Sequence, residues 1–235
     1  MKSDYEQTLD KNFNKALELC SGSYTNEDLI KLLKDGNIPE KQFAALAITE
    51  LNSEKDAEIF LSNLINCDGK IREAVAQKFS EFVSNKKYRE YFSKYPDILA
   101  KSTIDINANI SRMVIESLAL MSDFADFGKT YTQNLISYIE EAFDGLSKIV
   151  FRDKKYTINK QLFKLYWCLE GLCNFSQYVD EDTLLDILEK SLEQTEYTVR
   201  EKVAQIVVKQ ESKKFVPIRE KLKSDSNYYV KNIIK

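Results

Sequence analysis

The chain has no histidine, only six glycines and three prolines among its 235 residues, and a single tryptophan. Each shortage excludes something. Without histidine there is no Ser-His-Asp or Cys-His catalytic constellation, and a zinc site would have to be built from thiols and carboxylates alone. The four cysteines, Cys20, Cys67, Cys168 and Cys173, are scattered with no CxxC spacing, so they read as reduced, mostly buried small hydrophobes of a cytoplasmic protein. Six glycines and three prolines are too few for a turn-rich β protein. Neither GxGxxG nor GxxxxGK[ST] occurs, which removes the common nucleotide-binding loops. No apolar run reaches the roughly 18 residues of a membrane span, and the first residues carry no apolar signal core. A net charge of −3 gives no global attraction to nucleic acid or to an anionic surface.

What remains is helical. Hydrophobic content of 43% with 30% charged residues supplies ample core for an all-α protein. The most informative stretch is 66–83, where a polar turn runs into Ile71-Arg72 and then into Val75, Phe79 and Phe82. Counted from Ile71 these lie at i+4, i+8 and i+11, one face of a helix, with Ala74 and Ala76 thinning the flanks. The arrangement returns at 194–208, where Val199-Arg200 leads into Val203, Ala204, Ile206 and Val207. A first amphipathic helix over 4–20 carries Tyr5, Leu9, Phe13, Ala16 and Leu17 on one stripe, and reads as an N-terminal capping helix within 1–24. Thr25 with Asp28 starts the next helix in capping-box fashion, Asp35-Gly36 ends it, and Pro39 opens its partner. Helix pairs then follow at 54–65 with 69–83, 86–103 with 107–122, 130–151 with 156–174, 180–193 with 197–209, and 212–223 with 227–234. The 122–128 loop raises the question of why Phe124 and Phe127 stand in it.

Aligning the second helices tests the repeat. Asp35, Asn66, Asp105, Asp153, Gln194 and Asp225 each precede, by six residues, the position held by Lys41, Arg72, Ser111, Asn159, Arg200 and Lys231. Immediately before that position stand Glu40, Ile71, Ile110, Ile158, Val199 and Val230. The steps run from 31 to 48 residues, the range of helical repeats. Pro96 and Pro217 fall at similar places in their pairs and are expected to bend the first helix. A pair this small cannot bury its apolar faces alone, so neighbours must stack. The Asp and Arg positions are therefore read as ties between adjacent repeats rather than as catalytic groups.

With the Asp, the Val/Ile-Arg pair, the Ala-containing second helix and the Pro-containing stretch 215–222, the sequence resembles HEAT-repeat (armadillo-like) proteins over about residues 25–235. The resemblance is weaker at 105–175, where Ser111 and Asn159 replace the basic residue. It implies a right-handed α–α superhelix, a HEAT-like solenoid of about six helix pairs, forming one domain over 1–235 with 212–235 as a C-terminal capping repeat. It also implies that the second helices line a concave groove. Positions one and five past the Arg position would then face the groove: Gln42, Glu73, Arg112, Lys160 and Glu201, then Leu46, Gln77, Glu116, Lys164 and Gln205. Its middle would carry Arg112, Glu116, Lys160 and Lys164, with Trp167 and Tyr166 near, a set suited to an acidic peptide or a phosphate backbone. The blander reading of those residues is an Arg112–Glu116 pair and a core Trp167.

Glu140-Glu141 reads as a solvated face and Asp180-Glu181-Asp182 as a helix N-cap. The stretch 209–235 carries eight Lys/Arg against three Asp/Glu, read as the polar face of the last repeat. The expected function is a non-enzymatic cytoplasmic scaffold that holds a protein or peptide in the groove, with no cofactor and no metal. The alternative is a DNA-binding glycosylase of the alkylation-repair type, which shares the HEAT-like fold. The net charge and the mixed groove signs disfavour it, because phosphate neutralisation needs clustered Lys/Arg. HEAT-like bilin lyases are a third relative by fold, and no residue set marks the chain for tetrapyrrole chemistry.

Overall fold

The computed structural model describes the backbone of residues 4–148 and 155–234, and the side chains of residues 8, 11–148 and 159–234. The expectations for Tyr5, Leu9, Asp153 and Ile158 as side chains lie outside the described residues. The chain divides into two compact units, Met1–Met121 and Ser122–Lys235.

In the first unit the helices are α1 (Asp4–Ser21), α2 (Asn26–Asp35), α3 (Ile38–Ala47), α4 (Glu54–Ser62), α5 (Gly69–Phe82), α6 (Lys86–Phe92), α7 (Pro96–Thr103) and α8 (Ala108–Leu118), followed by a 3-10 turn at Ala119–Met121. Helices α3, α5 and α8 pack side by side, as do α2, α4 and the α6/α7 segment, so each pair contributes one helix to each of two layers. The caps are local chemistry. Thr25 with Asp28, Asn37 with Glu40 and Ser53 with Asp56 form three capping boxes. Gly36 ends α2 with φ −72°, so it is not a left-handed cap. A Cβ there would meet Leu32 O at 2.5 Å, and glycine is needed for that close approach.

Between the layers, Ile71, Val75, Phe79 and Phe82 of α5 are all buried, as their spacing predicts. Phe60, Phe79, Phe82 and Phe92 form a ring cluster with centroids 5.0–6.2 Å apart. Two sequence expectations are corrected. Pro96 does not bend one helix over 86–103. The chain leaves helix at 93–95 and Pro96 opens α7 at its first turn, where a missing N–H is harmless. On α1, Phe13 and Leu17 are 64% and 56% exposed instead of lining the core. The side of α1 turned to α3 holds Leu19, which is buried, and Lys15, which pairs with Glu40 at 3.5 Å.

The second unit contains α9 (Ala125–Ser147), α10 (Lys155–Leu172), a 3-10 turn at Ser176–Tyr178, α11 (Glu181–Leu192), α12 (Tyr197–Val207), a 3-10 turn at Lys213–Phe215, α13 (Val216–Lys223) and α14 (Tyr228–Ile233). Helix α10 packs on both α9 and α12, and α12 in turn on α11, α13 and α14. Among the described residues the two units hold six helix pairs. Pro217 sits in the first turn of α13 and starts it, again instead of bending it. The 122–128 loop proves mostly helical, because α9 begins at Ala125. Phe127 is 3% exposed and stacks on Tyr131 at 5.4 Å, with Phe175 edge-on to it. It is therefore core rather than a displayed contact. Tyr178 fastens the segment by donating its hydroxyl to Ser122 O at 2.7 Å.

Candidate functional site

The frame that holds the second helices is a charged ladder. Arg72 donates Nε to Asp105 Oδ2 at 2.6 Å and Nη2 to Asp105 Oδ1 at 3.2 Å, joining one pair to the next. In the second unit Arg200 repeats the geometry on Asp225, at 2.7 and 3.1 Å. Where the basic residue is missing the chain substitutes: the buried Ser111 hydroxyl donates to Asp105 O at 3.2 Å. Lys41, in the same position of its pair, donates to Asn63 Oδ1 of the next pair at 3.2 Å, and Asn66 itself has its backbone in the left-handed region at φ 57°.

With the β-branched residue before the Arg position buried, the residue two places on is turned roughly 200° around the helix and faces away from the core. Of the ten groove positions none is buried. Glu73, Gln77, Arg112, Glu116, Lys160 and Leu46 are exposed, and Gln42, Lys164, Glu201 and Gln205 are half-buried. Arg112 donates Nη1 to Asn109 Oδ1 at 3.3 Å rather than pairing with Glu116. Lys160 stands in solvent, while Lys164 pairs with Glu141 of α9 at 3.0 Å. Arg112 and Glu116 belong to the first unit, and Lys160, Lys164 and Trp167 share α10 in the second. Trp167 does not stand beside these cations as a displayed ring. It is 5% exposed, flanked nearly perpendicularly by Phe163 at 5.9 Å and Tyr166 at 4.9 Å, and its indole N–H is buried without an acceptor.

Two features escape a reading by spacing alone. One is a cavity of about 400 Å³ walled by Leu162, Phe163, Tyr166 and Trp167 of α10 and by Glu196 and Thr198 at the start of α12. Its signal was in the sequence: three aromatic residues at i, i+3 and i+4 on one helix. The other is Lys202, on the face of α12 toward α10 and only 7% exposed. It forms an ion pair with Glu170, donates to Gln205 Oε1 at 3.0 Å, and lies 5.2 Å from the centroid of Tyr166. Burial pulls its ammonium down, but the hydrogen bond and charge of Glu170 outweigh that and leave the group above its ordinary range. Its spacing, three after Val199 and four before Ile206, sets it beside the buried stripe of α12; its pairing with Glu170 is not readable from the order of residues.

The other titratable groups are structural. Asp180 caps α11 by accepting from the amides of Asp182 and Thr183 at 3.1 and 3.0 Å, and these bonds with the Thr183 hydroxyl hold its carboxyl below the usual range. Burial pushes the Cys173 thiol up to about 12 and the Cys168 thiol higher still, so neither is a nucleophile at neutral pH. Cys20 is exposed and Cys67 half-buried, and all four thiols are free. Among the described residues no cluster of three or more Cys, Asp or Glu could hold a metal ion, and no helix is long and apolar enough to cross a membrane.

No protein-family model and no curated protein matches the chain. Solved structures do match. An archaeal HEAT-like repeats protein from Thermococcus onnurineus NA1 superimposes with a TM-score of 0.51 at 10% identity, over 91% of this chain and 79% of that one. Two engineered proteins superimpose with TM-scores of 0.53 and 0.50 at 12% and 14% identity, each over 90% of this chain and over 96% and 94% of their own. At such identities the likeness is one of fold. Together with the strand-free described residues, the six helix pairs and the repeated Arg–Asp ties, it makes this chain an all-α protein with the HEAT-like helical-repeat fold, of the α-solenoid class.

Proposed function

We propose that the protein is a non-enzymatic cytoplasmic scaffold that holds a protein or peptide partner along the outward faces of its second helices. The observation that carries this reading is the exposure of the ten groove positions, none of them buried, with both signs present within each unit: Glu73 and Glu116 with Arg112 in the first, Glu201 with Lys160 and Lys164 in the second. Mixed sign suits a polar protein surface, where charge sets specificity and register. It suits duplex DNA poorly, because each phosphate contact needs an unopposed cation and Lys164 is already paired with Glu141.

The test uses the full chain beside an Arg112→Glu/Lys160→Glu/Lys164→Glu variant whose circular dichroism matches it. A protein retained by the first and released by the second, and then titrated as a purified partner with the same discrimination, supports the reading. A partner bound equally by both overturns the assignment to these faces. Micromolar binding of a labelled DNA duplex that weakens steeply with salt overturns the scaffold reading in favour of a glycosylase-type protein.

A further inference from the structure

The cavity between α10 and the first turn of α12 has a chemistry of its own. Three of its walls are aromatic, and the rings do not stack in parallel. Phe163 meets Trp167 at 74° and Tyr166 meets Trp167 at 82°. Rings set at near right angles present their π faces along more than one direction, and those faces attract cations. Among the described residues no Lys or Arg lines the space, and the only charged one that does is Glu196, which is exposed and accepts a hydrogen bond from the Thr198 hydroxyl at 3.4 Å. About 400 Å³ is within the range of small-ligand sites.

The nearby described positive charges are offset, screened or already paired. The start of α12 contributes about half a positive charge, and the full negative charge of Glu196 at its N-cap exceeds it. Lys160 projects into solvent, where its field is screened, and Lys202 is tied to Glu170 and Gln205. Lys202 also shows that a ring of this wall can carry an ammonium, since its Nζ lies 5.2 Å from the Tyr166 centroid. Among the described lining residues an anion would meet a carboxylate and π faces, with no lysine to hold it.

From this charge pattern we propose that the cavity takes an alkylammonium group, the side chain of a lysine or N-methylated lysine presented by an extended peptide. The source of the group rests on the scaffold reading; the chemistry of the cavity does not. It concerns a different surface from the charged row and names the kind of residue a partner would place there.

The chain's single tryptophan lines the cavity, so intrinsic fluorescence reports on this site. Tetramethylammonium chloride, sodium chloride and the neutral isostere tert-butanol are titrated first. Labelled hexapeptides carrying one central lysine, trimethyl-lysine or norleucine follow, with fluorescence and anisotropy read together. The expected result is a saturable Trp167 response to tetramethylammonium and to both lysine peptides, with the uncharged counterparts weaker by about fivefold to tenfold. Glu196→Gln, at an exposed residue whose side chain makes no cap bond, is expected to weaken the lysine peptides by a similar factor while leaving circular dichroism unchanged. Equal binding of norleucine and lysine peptides overturns the proposal and leaves a plain apolar cavity. A response to a dT oligonucleotide with none to the lysine peptides overturns it in favour of nucleic acid. Lysine peptides that bind without changing Trp167 and without feeling Glu196→Gln overturn the cavity assignment while the scaffold reading stands. A response to tetramethylammonium with no peptide binding overturns the peptide source, while the scaffold reading, which rests on the charged outward faces, stands or falls on the retention experiment.

Discussion

Arg72 and Asp105 lie 33 residues apart and close a two-pronged ion pair between one helix pair and the next, with both side chains largely out of water. The third guanidinium nitrogen fastens the turn of its own repeat through Cys67 O, and Asp105 also accepts from the amide of Asn107 at 2.8 Å. Arg200 and Asp225 reproduce every part of this, with Gln194 O and Thr195 O as the turn acceptors and Asn227 as the amide donor. A planar fork with five donors suits this arrangement, and a lysine could not satisfy both prongs. Arg200→Ala or Asp225→Asn should each cost about 2 kcal/mol in urea unfolding, because each leaves a buried charged or polar partner unsatisfied. The double variant should cost clearly less than the sum, which a double-mutant cycle reads directly. Additive losses would mean that the pair is not energetically coupled.

The same pair sets a pH dependence. The Arg200 hydrogen bond holds the Asp225 carboxyl below its ordinary range. A depressed carboxylate contributes stability that is present above its unfolded value, near 3.8, and lost as pH falls through the lower folded value. Urea midpoints measured from pH 6 down to pH 3 should therefore fall more steeply for the native chain than for Asp225→Asn. Parallel curves would show that this carboxylate carries no acid sensitivity.

That these positions tie adjacent repeats was legible in the order of residues, because Asp, Asn or Gln stands six before a position that is basic in four of six copies and is preceded by a β-branched residue in five. So was the buried face of α5. Which carboxylate meets which Arg was not, since the partners lie 33 and 25 residues apart. The residues that resisted reading did so for physical reasons. Phe127 sits among Asp123, Asp126 and Gly128, a composition that reads as loop, yet Tyr131 and Phe175 provide ring partners from i+4 and from far along the chain. Phe13 and Leu17 keep a helical stripe whichever side α1 turns to α3, and the side that meets α3 carries the buried Leu19 instead, with Lys15 paired to Glu40 beside it. The groove residues were legible as exposed positions on known helices. The burial of Trp167 was one of two readings left open, and the core reading holds because Phe163, Tyr166 and the approach of α12 close over the ring.

Gly128 shows how tightly the start of α9 is packed. A Cβ at that position would lie 2.3 Å from Cδ2 and 2.4 Å from Cε2 of Tyr178, and the ring cannot retreat without releasing the hydroxyl's bond to Ser122 O. Alanine is a better helix former than glycine, so a free site would gain about 1 kcal/mol. Here overpacking should win, and Gly128→Ala should destabilise the chain by about 1–3 kcal/mol. Adding Tyr178→Leu should remove the penalty of the alanine while carrying its own. A neutral or stabilising Gly128→Ala would show that Tyr178 gives way freely.

Lys202 is the group whose removal should be most informative. Both members of its pair with Glu170 are mainly out of solvent, so truncating one leaves the other in a medium that cannot replace it. Lys202→Met keeps the aliphatic volume and removes the charge, leaving the half-buried Glu170 without its cation. It should cost about 3 kcal/mol, whereas Lys202→Met with Glu170→Gln should recover much of that, since an uncharged pair has no stranded carboxylate. The sign of the alkaline response follows from the raised lysine. Its stabilisation is complete below the unfolded value and is lost as pH rises through the higher folded one, so the native chain should weaken above about pH 10.5 and the double variant should not show that loss. Thermal unfolding followed at pH 8 and pH 11 checks both parts. If the single and double variants were equally destabilised, the pair would be acting through packing of the lysine stem rather than through charge.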